Sequence, residues 1–536
     1  MTRSPDRRPH DPRLHLRPPA GWANDPNGPF RWRGRTHLFY QHNPAGPSHE
    51  NIHWGHASSA DLVTWEHHPV ALAPTPGGPD EAGCWSGCVV DDEGVPTAVY
   101  TGVDGRHAGL GTILLARAAV PDDPLLREWK PLPEPVVAGP PAGLDVVMFR
   151  DPFVFRHGGR RWALVGAGHA DGTPSVLLYA CERLTEWRFA GVLLDGRSPG
   201  VPGRGATGRE ATAWEATGWE CPQFFAAGDG RWVLVLSLWN GDPLSVVWLS
   251  GTLREVAGPT GPGLVFAPEA CGPLDVGRDC YAPAVLAGTA GERTLLWGWS
   301  WEARGQRAVD EAGWAGLLTL PREVGTHPDG ALRIAPAAEL GALRAGAPLV
   351  AAAGPGPLGP VPLPDAYEVS VTAEGGPVLV ELARDARGGA LALRLDPGAG
   401  TVELRRADWP RERAGVPAEA GPVTLSVPPA ASSTVRVWRD GSVVEVYAGD
   451  GRAVATERVY PRPGDRPELR VRAEETAGAG ADPADPADSA DSADSADPLG
   501  GVSGGVTFTA TAWALAVPGT VGAGPAPVGP PAHPGG

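Results

Sequence analysis

Short apolar runs recur along the first 335 positions, and each opens just after a Gly/Arg turn or a close variant of one. THLFY follows Gly34-Arg35, VPTAVYT follows Gly94, RWALVG follows Gly159-Arg160, WVLVLSLW follows Gly230-Arg231 and TLLWGW follows Gly291-Glu292-Arg293. The turns stand at positions 34, 94, 159, 230 and 291, so the spacing is about 60 to 70 residues. A second marker, Leu-x-x-Trp, recurs near the same period as Leu62…Trp65, Leu126…Trp129 and Leu184…Trp187. A unit of roughly 60 residues holding several short alternating strands is one propeller blade. Five such units predict five blades.

The pattern changes beyond residue 335. PAAELGALRAGA (336–347) reads as a short helix or linker, and AAAGPGPLGPVPLP (351–364) is rich in Pro and Gly. From Tyr367 onward short alternating strands return, among them YEVSVTAE, PVLVELAR, LALRLD, TVELRRA and GVTFTATAWAL. Regular short strands separated by turns predict a β-sandwich. VRVWRD and GSVVEVYA read as neighbouring strands joined across Asp440-Gly441, a hairpin signal. The whole is therefore expected to be all-β: a five-bladed β-propeller over 13–335, a linker over 336–364, and a C-terminal β-sandwich over 365–517. Residues 1–12 and 518–536 are expected to be disordered. So is 475–501, an insert with Asp at 482, 485, 488, 491, 494 and 497. A calcium tract is conceivable there, but the insert lacks the glycines and closing Glu of a calcium loop.

Composition narrows the picture. Gly and Pro make up a quarter of the 536 residues, but 42% are hydrophobic and 20 are Trp, so the Gly and Pro are better read as turn punctuation than as disorder. A net charge of −17 argues against a nucleic-acid partner. No apolar run is long enough to span a membrane. The N-terminal stretch MTRSPDRRPHDPRLHLRPPAG lacks the apolar segment of a secretion signal, which leads to a cytoplasmic expectation. Six Cys do not make a disulfide framework. Cys84 and Cys88 have no second pair at metal-ligand spacing, so neither metal nor cofactor is expected.

The candidate chemistry sits at one phase of the repeat. About nine to fourteen residues before each turn lies a polar motif: Asn24-Asp25-Pro26, Trp85-Ser86-Gly87, Arg150-Asp151-Pro152, Glu220-Cys221-Pro222 and Asp279-Cys280-Tyr281. Each falls at the start of its unit's first strand, the strand that lines the central channel of a propeller. The repeat would gather these groups at one point, and charges are rarely gathered without a partner or a task.

WANDPNG (22–28), FRDP (149–152) and WECP (219–222) together resemble the three acidic signatures of glycoside hydrolase family 32, the β-fructofuranosidase or invertase family. FYQHNP (39–44), IHWGHASSADLVTWEHHPVAL (52–72), WSG (85–87), LDVGRDCYA (274–282), GWAGLLTLPRE (313–323) and the later VRVWRDGSVVEVYAGDG (435–451) resemble it as well. The resemblance implies a five-bladed propeller followed by a sandwich. It implies Asp25 as nucleophile, Glu220 as acid/base and Asp151 as transition-state stabiliser. Asn24, Gln41, Trp85, Ser86 and Arg150 would bind the fructosyl ring.

Those residue types suit the reaction. One carboxylate attacks the sugar while a protonated carboxyl on the other side protonates the leaving oxygen. The nucleophile must be ionised, with donors expected near Asn24 and Asn27. A neighbouring anion and partial burial would raise Glu220 and keep it protonated. Cys221 is read two ways, as tuning that environment or as a small buried apolar group. The histidines 42, 49, 53, 56, 67 and 68 share no helical face and are taken as structural or sugar-contacting.

Three positions depart from the family pattern. Ala23 replaces a larger apolar residue, His49-Glu50 stands where many members have Trp-Gly, and Cys280 replaces an aromatic. These bear on substrate preference. The expectation is a retaining β-fructosidase acting on sucrose or a short fructo-oligosaccharide, with its oligomeric state open. An exo-fructanase, a transfructosylase or a non-catalytic sugar-binding propeller are the alternatives.

Overall fold

The computed structural model describes residues 10–107, 109–202, 214–258, 261–288, 292–385, 388–407, 409, 421–474 and 505–517. The Gly291 turn, the acidic insert 475–501, the tail 518–536 and residues 1–9 lie outside the described residues.

Among the described residues the first part of the chain forms five consecutive antiparallel sheets. Their inner strands are Gly21–Trp32, Gly83–Asp92, Val146–His157, Gly218–Ala226 and Tyr281–Leu286. Each inner strand packs against the next, and the fifth packs against the first. The sheets are thus blades of a closed ring, the architecture the repeat predicted. Trp314–Ala315, in the connection between the second and third strands of blade five, pairs in parallel with Gly21–Trp22 and joins the ends of the propeller.

Both repeat markers have a structural cause. In blades one to three the inner strand turns into the second through two residues, Arg33-Gly34, Glu93-Gly94 and Gly158-Gly159. All six have positive φ, the geometry that matches the twist of a tight hairpin and that glycine adopts without steric cost. The Leu-x-x-Trp marker is the turn from the third strand to the fourth. There the indoles of Trp129 and Trp187 donate to the carbonyls of Leu126 and Leu184.

The second domain is a sandwich of two six-stranded sheets. Val369, Val371, Val435 and Val437 of one sheet meet Val380, Leu382, Leu393 and Val471 of the other in a shared apolar core. The linker expected over 336–364 needs correction. Val350–Gly354 and Leu358–Pro362 are strands, each at one edge of a sandwich sheet, and Ala338–Leu343 is a 3-10 turn. Edge strands tolerate the prolines that made the segment look irregular.

Buried charges join the two domains. Arg322, fully enclosed, donates to Asp275 at 2.9 Å and to the sandwich's Glu445 at 2.9 Å. His15, ahead of the first blade, bridges Asp440 at 2.9 Å and Glu445 at 3.0 Å. The Arg458 backbone N–H donates to Asp279 at 2.6 Å. Charges buried this deeply persist only when paired, so the pairing fixes how the domains dock.

Candidate active site

All five inner strands break register at the same level. The shifts fall between Ala23 and Pro26, Trp85 and Gly87, Arg150 and Phe153, Glu220 and Gln223, and Tyr281 and Ala284. In blades three to five the bulged residues are Asp151, Cys221 and Ala282, at φ 64°, 47° and 44°, and each precedes a proline. A bulge re-aims the side chains beside it and is common next to active sites. Here five bulges turn Asn24-Asp25, Trp85-Ser86, Arg150-Asp151, Glu220-Cys221 and Tyr281 toward one place.

The hydrogen bonds show that convergence. Asp25 accepts from Asn24 Nδ2 at 3.0 Å, from Ser86 Oγ at 2.6 Å and from Gln41 Nε2 at 3.4 Å. Asn24 also donates to Gln41 at 2.9 Å and accepts from the Trp22 indole at 2.7 Å. Asp151 accepts the Cys221 backbone N–H at 3.0 Å, and its own N–H donates to Thr101 Oγ1. The Cys221 thiol lies 3.5 Å from both Asp25 Oδ2 and Asp151 Oδ2, so it ties blade four to blades one and three. Burial and these two anions push that thiol well up. It is therefore a neutral S–H donor rather than a thiolate.

Glu220 is held on both sides. Arg150 pairs with Oε1 at 2.7 Å, and the Tyr281 hydroxyl lies 2.5 Å from Oε2. The same hydroxyl is 2.9 Å from the Leu238 carbonyl oxygen. It can donate to an ionised Glu220, or accept the proton of a neutral one and donate to Leu238 instead. Arg150 also lies over the faces of Trp85 and Trp239, at 5.5 and 5.1 Å. Burial raises Glu220 above the ordinary carboxylic range and the Asp25 charge adds to this, while Arg150 and Tyr281 oppose it. Burial and the neighbouring Glu220 likewise raise Asp151. Carboxyls crowded into a dry pocket hold protons that isolated ones would lose.

Asp25, Asp151, Glu220, Asn24, Gln41, Trp85, Ser86 and Arg150 are all brought together. Two sequence readings change. Asn27 does not serve Asp25; its Oδ1 accepts the Gly87 N–H, and Ser86 and Gln41 supply the donors instead. In blade five the motif is Tyr281-Ala282-Pro283, two residues beyond Asp279-Cys280, because Asp279 is turned to the sandwich. Tyr281 ended the blade-five motif but was given no role, although the residue-then-proline step of blades one, three and four recurs after it. No group of three or more His, Cys, Asp or Glu among the described residues is arranged to hold a metal. No helix among them is long and apolar enough to cross a membrane.

Comparison with known proteins agrees with this architecture. Residues 15–336 match the glycosyl hydrolases family 32 N-terminal domain and residues 390–484 match the family 32 C-terminal domain. A raffinose invertase of Escherichia coli is 34% identical, with 85% of this chain and 90% of the relative covered. A sucrose-6-phosphate hydrolase of the same organism is 32% identical, with 86% and 91% covered. Among solved structures, the sucrose-6-phosphate hydrolase of Lactobacillus gasseri superposes with a TM-score of 0.72 at 20% identity, covering 95% of this chain and 94% of the other. Fructan 1-exohydrolase IIa of Cichorium intybus superposes with a TM-score of 0.70 at 22% identity, with 95% and 97% covered; likeness at this identity speaks for the fold. The ring of five blades, the sandwich behind it and the match of family models across both domains place the chain in glycosyl hydrolase family 32, as a glycoside hydrolase.

Proposed function

We propose that this protein is a retaining β-fructofuranosidase, cleaving the terminal β-D-fructofuranosyl bond of sucrose to give glucose and fructose. The observation that carries the reading is that the carboxyls of blades one, three and four converge at the level of the five bulges. Cys221 touches two of them, and the third belongs to the residue before it.

The Asp25 carboxylate attacks the anomeric carbon of the fructosyl unit. The bond from that carbon to the glycosidic oxygen breaks, and the oxygen takes the Glu220 proton and leaves as a sugar hydroxyl. Glu220, now ionised, is met by Arg150 and by the hydroxyl of Tyr281. It then takes a proton from water as that water attacks the same carbon, releasing fructose and restoring the Asp25 carboxylate. Two inversions retain the β configuration. Asp151 accepts hydrogen bonds from sugar hydroxyls that tighten as charge develops on the ring. Arg150, Asn24, Gln41, Trp85 and Ser86 hold that ring.

The names of the two relatives matched along most of the chain support a small sucrose-bearing substrate. The test is a panel of sucrose, sucrose 6-phosphate, raffinose, inulin and levan, with NMR of the first-released fructose anomer. Sucrose should give the highest kcat/KM, with β-fructose appearing first. Asp25→Ala and Glu220→Ala should each lower kcat by at least about a thousandfold. Undiminished turnover in either variant removes that residue from the mechanism.

A further inference from the structure

The pocket has an inner end and a rim. Asn24, Gln41, Ser86, Arg150 and Asp151 are buried, whereas Asp25, Glu220, Trp22 and Trp85 are only partly so, and His49 is exposed. Between those two indoles stands His49, in the loop from Asn43 to Ile52. Its ring meets Trp22 edge-on at 6.0 Å and Trp85 edge-on at 6.3 Å. Asp25 is close enough that its charge acts on the imidazole. The loop is pinned, so the ring is placed by structure. The buried Asn43 side chain donates to the Ser48 carbonyl and accepts from the Ala45 N–H, and Ile52 bridges to Gly83 at the start of blade two.

A terminal fructosyl unit that reaches Asp25 fills the inner end, so whatever it is attached to must leave through the rim. Two indoles there supply faces for a sugar to stack on but only one polar atom each, and Trp22 spends its indole N–H on Asn24. An imidazole adds a polar edge between them. We propose that His49 is a specificity-determining residue for the leaving group. Resting on the function proposed above, it hydrogen-bonds a hydroxyl of the departing sugar and so favours polyhydroxylated leaving groups over apolar ones.

The test compares wild type with His49→Ala and His49→Gln on sucrose and on an aryl β-fructofuranoside, with fructose as a competitive inhibitor. His49→Ala should lower kcat/KM for sucrose about tenfold, the size of one neutral hydrogen bond. The aryl substrate and the fructose Ki should stay within about twofold, and His49→Gln should recover much of the loss on sucrose. An unchanged sucrose kcat/KM overturns the proposal. So does an equal loss on the aryl substrate or a parallel rise in the fructose Ki, because the residue would then act on the inner end. A wild-type chain that cleaves neither fructoside overturns the fructosidase reading itself, a different result from a wild type that cleaves both and a variant that does not discriminate.

Discussion

At the residue scale the acid/base carboxyl depends on neighbours that work in opposite directions. Burial raises Glu220, and the Tyr281 hydroxyl at 2.5 Å pulls it back by donating to the ionised form. Tyr281→Phe removes that donor but keeps the ring stacked on Trp301. Glu220 should then keep its proton to higher pH, so the basic limb of the kcat/KM profile should move upward. Its kcat should fall, because the ionised intermediate form of Glu220 loses a partner. A pH profile of sucrose hydrolysis reads both effects, and an unmoved basic limb would separate Tyr281 from the proton on Glu220.

At the element scale the ring closes where the first blade meets the short segment between the second and third strands of blade five. Gly316, at φ 74°, lies so close to the inner strand that a Cβ would stand 1.8 Å from the Ala23 carbonyl oxygen. Gly316→Ala adds backbone strain of about 1–3 kcal/mol to that clash. It should lower the melting temperature and activity together, since Ala23 adjoins Asn24 and Asp25. Retained thermal stability would show that the closure tolerates the extra atom. Elements were legible where a local signal coincided with its structural cause: the Gly turns of blades one to three are true tight hairpins, and Asp25, Asp151 and Glu220 sit at bulges marked by an Asp-Pro or Cys-Pro step. Blade five was read two residues early because Asp279 is acidic and Tyr281 is not, although the bulge follows the proline step rather than the charge. The edge strands 350–354 and 358–362 were hidden for a different reason. Proline marks irregular backbone by composition, yet an edge strand need not donate along its free side. His49 stood out in the sequence only as a departure from the family's Trp-Gly; its place between two indoles comes from the folded loop.

At the scale of the whole molecule, pH acts on the domain junction. Asp440 and Glu445 raise the enclosed His15 to about 9. A group raised above its unfolded value stabilises the fold fully below that unfolded value, near 6.5, and ceases to do so as pH rises through 9. The contribution is on the order of 3 kcal/mol. Glu445, lowered to about 2 chiefly by Arg322 and His15, does the reverse: its contribution is present above about 4.5 and is lost as pH falls toward 2. The junction should be firmest between about pH 4.5 and 6.5. Melting temperatures followed from pH 6.5 to 9.5 should fall in wild type and fall less in His15→Gln. Parallel curves for the two would remove His15 from the alkaline loss.

The segment that holds His15 carries a further implication. Residues 13–15 give three backbone N–H groups to Asp440, and six residues later the same thread enters blade one and lies against Trp314. Catalytic ring and rear module thus share a fastening near the start of the polypeptide, besides the Arg322 and Asp279 ties. A trimmed version made by cutting away the rear module would strand Arg322 and His15 without their counter-charges, so it should precipitate rather than serve as a minimal enzyme. Fusion partners are better attached to either end of the intact chain than spliced between its two halves.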